Sequence, residues 1–99
     1  MPKRVFTYEE AAAILPEVRR ITGEAAGRVE AVETEDPGEY QRIVGEWAAG
    51  ILAMGIEVKG LWLIDFDSGA GYYCWRFPEQ ALEYFHGYDE GFSGRVKLN

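Results

Sequence analysis

A chain of 99 residues, 47% hydrophobic with a net charge of −7, suffices for one domain with one modest core. The acidic balance excludes a general affinity for nucleic acid or for an anionic membrane surface, since both need surplus lysine and arginine. No run of eighteen apolar residues occurs, the stretch MPKRVFTYEE lacks the apolar segment of an export signal, and the lone cysteine cannot close an internal disulfide. A reducing cytoplasm is the expected compartment.

The first half predicts a helical hairpin over 8–54. Thr7 followed by Glu10 fits a capping box, and Phe6 stands where a hydrophobic staple begins. Ala11, Leu15, Val18, Thr22, Ala25, Val29 and Val32 recur at steps of four and three, widened by Ile14 and Ile21. That periodicity predicts a helix over 8–33. Pro16 removes one hydrogen bond and crowds the preceding turn, so a kink or a restart is expected there. Asp36-Pro37-Gly38 signals a turn. Tyr40, Val44, Trp47, Ile51 and Met54 then predict a second helix over 39–54, with Gly55 as its C-terminal cap. Ile43, Ala48 and Leu52 lie off that stripe. Helical stripes this long exceed what a small sheet covers, so a homodimer or another protein partner is expected, with Val18, Ala25, Val44, Trp47 and Ile51 near the interface.

The second half, 58–99, changes character. LWLIDF (61–66) and YYCWRF (72–77) have the length and composition of strands, with a glycine-bearing turn between them. Period-two alternation places Trp62, Ile64, Phe66, Tyr73, Trp75 and Phe77 on a core face. Leu61, Leu63, Asp65, Tyr72, Cys74 and Arg76 fall on the other. Over 78–86 local rules lean to a short helix from Pro78 to His86-Gly87, with a third strand as the alternative. The expected fold is therefore α+β: a helical hairpin packed on a small antiparallel sheet of two to three strands.

Five segments occur in order: FTYEEAAAILPEVR, MGIEVKG, IDF, YYCWRF and EYFHGYDEGFSGR. Together they resemble a bacterial domain-of-unknown-function family numbered 2203. Its pattern runs F-T-x-E-E-A, L-P-x-V-R, G-x-E-V-K, V-D-F, C-W and Y-W-H-x-x-x-x-G-F-A-G-R. Phe85 stands where a tryptophan is usual and Ser93 where an alanine is usual, and a longer arginine-rich helical region of many relatives is missing. The resemblance draws attention to Cys74, Trp75, Tyr84, His86 and Arg95, but implies no activity.

Candidate chemistry concentrates between Asp65 and Arg95. His86 is the one imidazole, and its charge can change near neutral pH. On a helix, Glu83 and His86 would share a face, the Glu-x-x-His spacing of di-iron carboxylate proteins. Asp89 would stand close by, making these three the metal candidates. Cys74 with His86 could supply a nucleophile and base, oriented by Asp65 or Glu79. The simpler expectation for Cys74 is a small buried hydrophobe. Asp65 and Asp67 with Glu79 could hold a cation, although a solvated hairpin rim explains the two aspartates as well. Arg95 is expected to pair with Asp89 or Glu90. No sequence pattern calls for a cofactor, and none assigns a catalytic residue. The stretch from Cys74 to Arg95 is expected to converge, with His86 bonded to Asp65, Glu79, Glu83 or Asp89, because a desolvated imidazole needs a partner. The functional reading is a small binding or interaction module that self-associates. The alternative is a small metal- or ligand-binding enzyme using Glu83, His86 and Asp89.

Overall fold

The computed structural model describes residues 4–32 and 36–98. Helix α1 spans Tyr8–Ala31 and opens with the expected capping box. Thr7 Oγ1 accepts from the Glu10 amide at 3.1 Å, and Glu10 Oε1 accepts from the Thr7 amide at 2.8 Å. Phe6 is buried just ahead of the cap, and its amide bonds the Asp67 carbonyl at 2.7 Å. The expected break at Pro16 is absent, and α1 runs through it. Pro16 lies on the exposed side of the helix, where water can satisfy the freed carbonyl. Glu33, the last residue of the predicted helix, lies outside the described residues.

Helix α2 spans Pro37–Ala53, two residues longer at its start than predicted. Asp36 caps it through Oδ1 to the Glu39 amide at 3.1 Å, and Pro37 takes the first turn, where its missing N–H costs nothing. Gly55 adopts φ +82 just past the end, and its amide closes on the Leu52 carbonyl at 2.9 Å. The buried stripe is Ile43, Trp47 and Ile51. It is rotated from the predicted one, because Ile43 turns inward while Tyr40 is exposed and Val44 only half-buried; Leu52 is exposed, as expected off the stripe. Thr22, polar within the apolar stripe of α1, accepts from Trp47 Nε1 at 2.8 Å and locks the two helices together.

The sheet has five strands, not two or three: β1 Glu57–Gly60, β2 Leu63–Asp67, β3 Tyr72–Arg76, β4 Tyr84–His86 and β5 Val96–Lys97. They form an antiparallel meander in sequence order. The helix favoured over 78–86 is corrected to a turn followed by β4. Tyr84, Phe85 and His86 pair with Cys74, Tyr73 and Tyr72, and ladder hydrogen bonds win over the weak helix-start signal at Pro78-Glu79. Gly71 is fixed by that pairing. At φ +154, a Cβ on it would sit 2.4 Å from the Phe85 ring and 2.8 Å from the His86 carbonyl. Trp62 leads into β2 rather than joining it. It holds φ +59 and packs edge-on against Trp47 at 4.8 Å.

The helices cover one face of the sheet. Ile64, Phe66 and Trp75 are fully buried there with Phe6, Val18, Ile43 and Ile51. Each such side chain contributes about 1.5–3 kcal/mol. Val18 and Ile51 are therefore interior, and Trp47 and Ala25 nearly so. The predicted intermolecular interface is largely the chain's own core, because five strands cover more helix surface than a hairpin could. Among the described residues, no helix is long and apolar enough to cross a membrane.

Candidate functional site

The opposite face of the sheet carries the chemistry. Register sets Glu57, Asp65, Cys74, Tyr84 and Lys97 side by side across all five strands. The next row holds Asp67, Tyr72 and His86. Neither α1 nor α2 covers this face. Residues 87–95 arch over it, and Phe92–Gly94 form a 3-10 turn. Between arch and sheet lies a cleft of about 360 Å³, lined by Lys59, Leu63, Asp65, Tyr72, Cys74, His86, Tyr88, Glu90, Gly91 and Phe92.

At the floor of the cleft, Asp65, Cys74 and His86 are only 1%, 1% and 4% exposed. Their donor atoms all lie within 4.8 Å of one another. His86 Nε2 is 3.0 Å from Asp65 Oδ2, and His86 Nδ1 is 2.9 Å from the Gly87 carbonyl. A carbonyl only accepts, so the hydrogen-bond network assigns a hydrogen to Nδ1. The contact between Nε2 and Oδ2 then needs a proton of its own, on the ring or on the carboxyl. The pair thus holds one shared proton and is neutral as a unit.

Asp65 Oδ1 is buried and has no hydrogen-bond partner among the described residues. The Cys74 thiol lies against Asp65 and against the Arg95 guanidinium, but a thiol is a weak donor. Burial raises the Asp65 carboxyl above its usual range, partly offset by His86. Burial first, and then the Asp65 charge, push the Cys74 thiol up to about 12. As it stands Cys74 is protonated and poorly nucleophilic, which agrees with the buried-hydrophobe expectation.

Beside the cleft Arg95 forms a clamp. It pairs with Glu79 through two nitrogens, at 3.1 and 2.5 Å, and its guanidinium stacks on Tyr84 at 3.9 Å and Phe92 at 4.0 Å. The expected pairing with Asp89 or Glu90 is corrected to Glu79, whose carboxylate is held at the end of β3 by accepting from the Arg76 amide at 2.9 Å. Glu90 instead accepts from the Gly87 amide at 2.7 Å. Tyr88 Oη donates to Asp67 Oδ1 at 2.6 Å. The two aspartates are buried rather than forming a solvated rim.

Of the predicted residues, Asp65, Cys74 and His86 converge, with Glu79, Tyr84 and Arg95 adjoining. The convergence expected for Cys74 to Arg95 is met in this part, and Asp65 is the carboxylate that His86 meets. Glu83, Asp89 and Trp75 stay out. Glu83 stands just before β4 and His86 ends it, so no helix brings the two to one face and the Glu-x-x-His grouping fails. Glu83 approaches Lys97 at 3.7 Å, and Asp89 is exposed in a turn. Trp75 belongs to the core face, its Nε1 donating to the Glu79 carbonyl at 2.8 Å. Sequence reasoning missed Lys59, Leu63, Tyr72, Tyr88, Glu90, Gly91 and Phe92 as cleft residues. The alternation of β2 and β3 already placed Leu63 and Tyr72 with Asp65 and Cys74. Nothing local marked the arch.

No curated protein and no solved structure matches this chain. A family described as uncharacterized conserved protein, DUF2203, matches residues 26–98, a span that includes α2, all five strands and the whole cleft. The chain belongs to the DUF2203 family.

Proposed function

We propose that this domain is a small binding module whose ligand enters the cleft between the sheet and residues 87–95. One observation carries the reading: a carboxylate 1% exposed, with an unpartnered oxygen, lines an open cleft. Leaving a buried acceptor unsatisfied costs about 1–3 kcal/mol. A fold tolerates such a cost where a ligand supplies the missing partner. The site is compact and polar, suiting an ion or a small polar molecule. The unpaired buried thiol fits the cytoplasm as the compartment.

The test is nuclear magnetic resonance on isotope-labelled protein, titrated with panels of divalent metal salts, carboxylates, phosphates and amines. Resonances of Leu63, Cys74, His86, Tyr88 and Gly91 should shift together. Gly91→Trp should suppress the shifts for organic ligands by filling the cleft mouth, since a Cβ at Gly91 meets nothing within 4 Å. Panels that leave every cleft resonance unmoved refute the reading.

A second reading, self-association, is favoured by an apolar groove of about 750 Å³ between α1 and α2, lined by Ile21, Ala25, Ile43 and Trp47. A second copy of the chain is its proposed occupant. A mass measured by light scattering at tens of micromolar tests it, and a monomer removes it.

A further inference from the structure

From the buried cluster under the cleft we infer that the ligand is a borderline-soft divalent cation of the zinc class, held by Asp65, Cys74 and His86. The inference deepens the cleft reading and rests on it. One oxygen, one sulfur and one nitrogen is a mixed set that zinc accepts and that calcium or magnesium, which want oxygen alone, do not. Geometry comes next. The three donor atoms lie within 4.8 Å of one another. Zinc bonds of about 2.0–2.3 Å place tetrahedral ligands about 3.3–3.8 Å apart. Rotamer adjustments of about 1 Å therefore close the set without moving a strand.

The imidazole is already prepared. Its Nδ1 hydrogen points to the Gly87 carbonyl at 2.9 Å, and its Nε2 faces the cluster. Metal-bound histidines are oriented by this kind of outer hydrogen bond. The orphan Asp65 Oδ1 supplies a second, independent observation. It is a buried acceptor with no hydrogen-bond partner, on a residue that lines the cleft.

Charge also balances. The metal-free cluster is neutral, with one proton shared by Asp65 and His86 and one on the Cys74 thiol. A divalent cation replaces both, and the bound cluster of carboxylate, thiolate and neutral imidazole is again neutral. No net charge is buried, which spares the large penalty of isolated ions in an interior. Three protein ligands leave one coordination position, and the cleft is the route by which water or another small ligand reaches it.

The experiment uses purified metal-free protein and the metal alone. Calorimetric titration with zinc should show one cation per chain and release of protons, read from the dependence of the heat on buffer. Cys74→Ser, His86→Gln and Asp65→Asn should each weaken uptake by on the order of a hundredfold, at least what loss of an outer-shell partner costs. Cobalt added to the wild type should give thiolate-to-metal charge-transfer absorption, which reports Cys74 directly and needs no variant to fold. Absence of zinc uptake, uptake unchanged in all three variants, or a cobalt spectrum without the thiolate band overturns the assignment. If zinc fails while an organic compound moves the cleft resonances, the cation is wrong and the binding module stands. If nothing moves them, both fall.

Discussion

Replacing Asp65 with asparagine should stabilise the metal-free protein at neutral pH. Asp65 is 1% exposed, its Oδ2 has one partner at 3.0 Å and its Oδ1 has none. Burial raises its pKa above the ordinary carboxylate value, so the folded state prefers the uncharged carboxyl. For a group raised in the folded state, its stabilising contribution is full below the unfolded value. It is lost as pH rises through the folded one. Loss of the proton that Asp65 shares with His86, which leaves a carboxylate beside a neutral imidazole, therefore weighs against folding as pH rises. Asparagine removes that charge, keeps the shape, and can donate from Nδ2 to His86 Nε2. The unpartnered oxygen remains in asparagine, so the gain is the avoided carboxylate charge, about 1–3 kcal/mol once the shared proton is lost. For a domain of this size, about 1 kcal/mol moves the melting temperature by about 4–8 °C. Urea and thermal unfolding of wild type and Asp65→Asn across acidic to neutral pH is the assay. The gain should be present at pH 7 and vanish as pH falls below the carboxylate range, where Asp65 is itself protonated. A loss of about 3–5 kcal/mol at pH 7 would refute the reasoning, since that is the signature of breaking a buried carboxylate–imidazolium pair.

Cys74 should react slowly with a thiol reagent in the native protein and fast in denaturant, since it is 1% exposed and its thiol is pushed up to about 12; rapid native labelling would contradict this. Thr22→Val removes the acceptor of Trp47 Nε1 inside the core and should cost about 1–3 kcal/mol by denaturant unfolding, an effect within about 0.5 kcal/mol being contrary. Arg95→Lys keeps the charge but loses the two-point pairing with Glu79 and the stacking on Tyr84 and Phe92. Hydrogen exchange at residues 92–97 should accelerate, and unchanged exchange would show that the clamp does not hold the arch. Gly71→Ala should destabilise by more than about 1 kcal/mol, because its Cβ meets the Phe85 ring at 2.4 Å at a positive φ; wild-type stability would mean that β3 and β4 pair less closely.

Local physics sufficed for several features. The Thr7–Glu10 capping box, the Gly55 cap and the inward faces of β2 and β3 each depend on residues a few positions apart, so the sequence states them directly. Strand β1 escaped because Glu57, Lys59 and Gly60 are poor strand formers. Strand β5 escaped because two residues carry no periodicity. Both exist because neighbouring strands offer them a ladder. The start of the α2 stripe was read one position off because Tyr40 and Val44 are apolar enough to imitate core positions, whereas Ile43 takes that place.

The site divides in the same way. Sequence alone determined that Asp65 and Cys74 share the face turned away from the helices, since side chains in strands alternate. It also determined that His86, the one imidazole, would need an acceptor. Only the tertiary structure decided which acceptor. Glu83 and Asp89 are near His86 in sequence, but Glu83 lies ahead of β4 and approaches Lys97, and Asp89 turns out to solvent. Asp65, twenty-one positions distant, reaches the ring at 3.0 Å. The cause is register: β3 aligns Cys74 with Asp65 on one side and with Tyr84 on the other, and Tyr72 with His86. A shift of one residue would send His86 to the opposite face. That register is held by strand pairing and by core packing on the far face, and neither is written in the residues around His86.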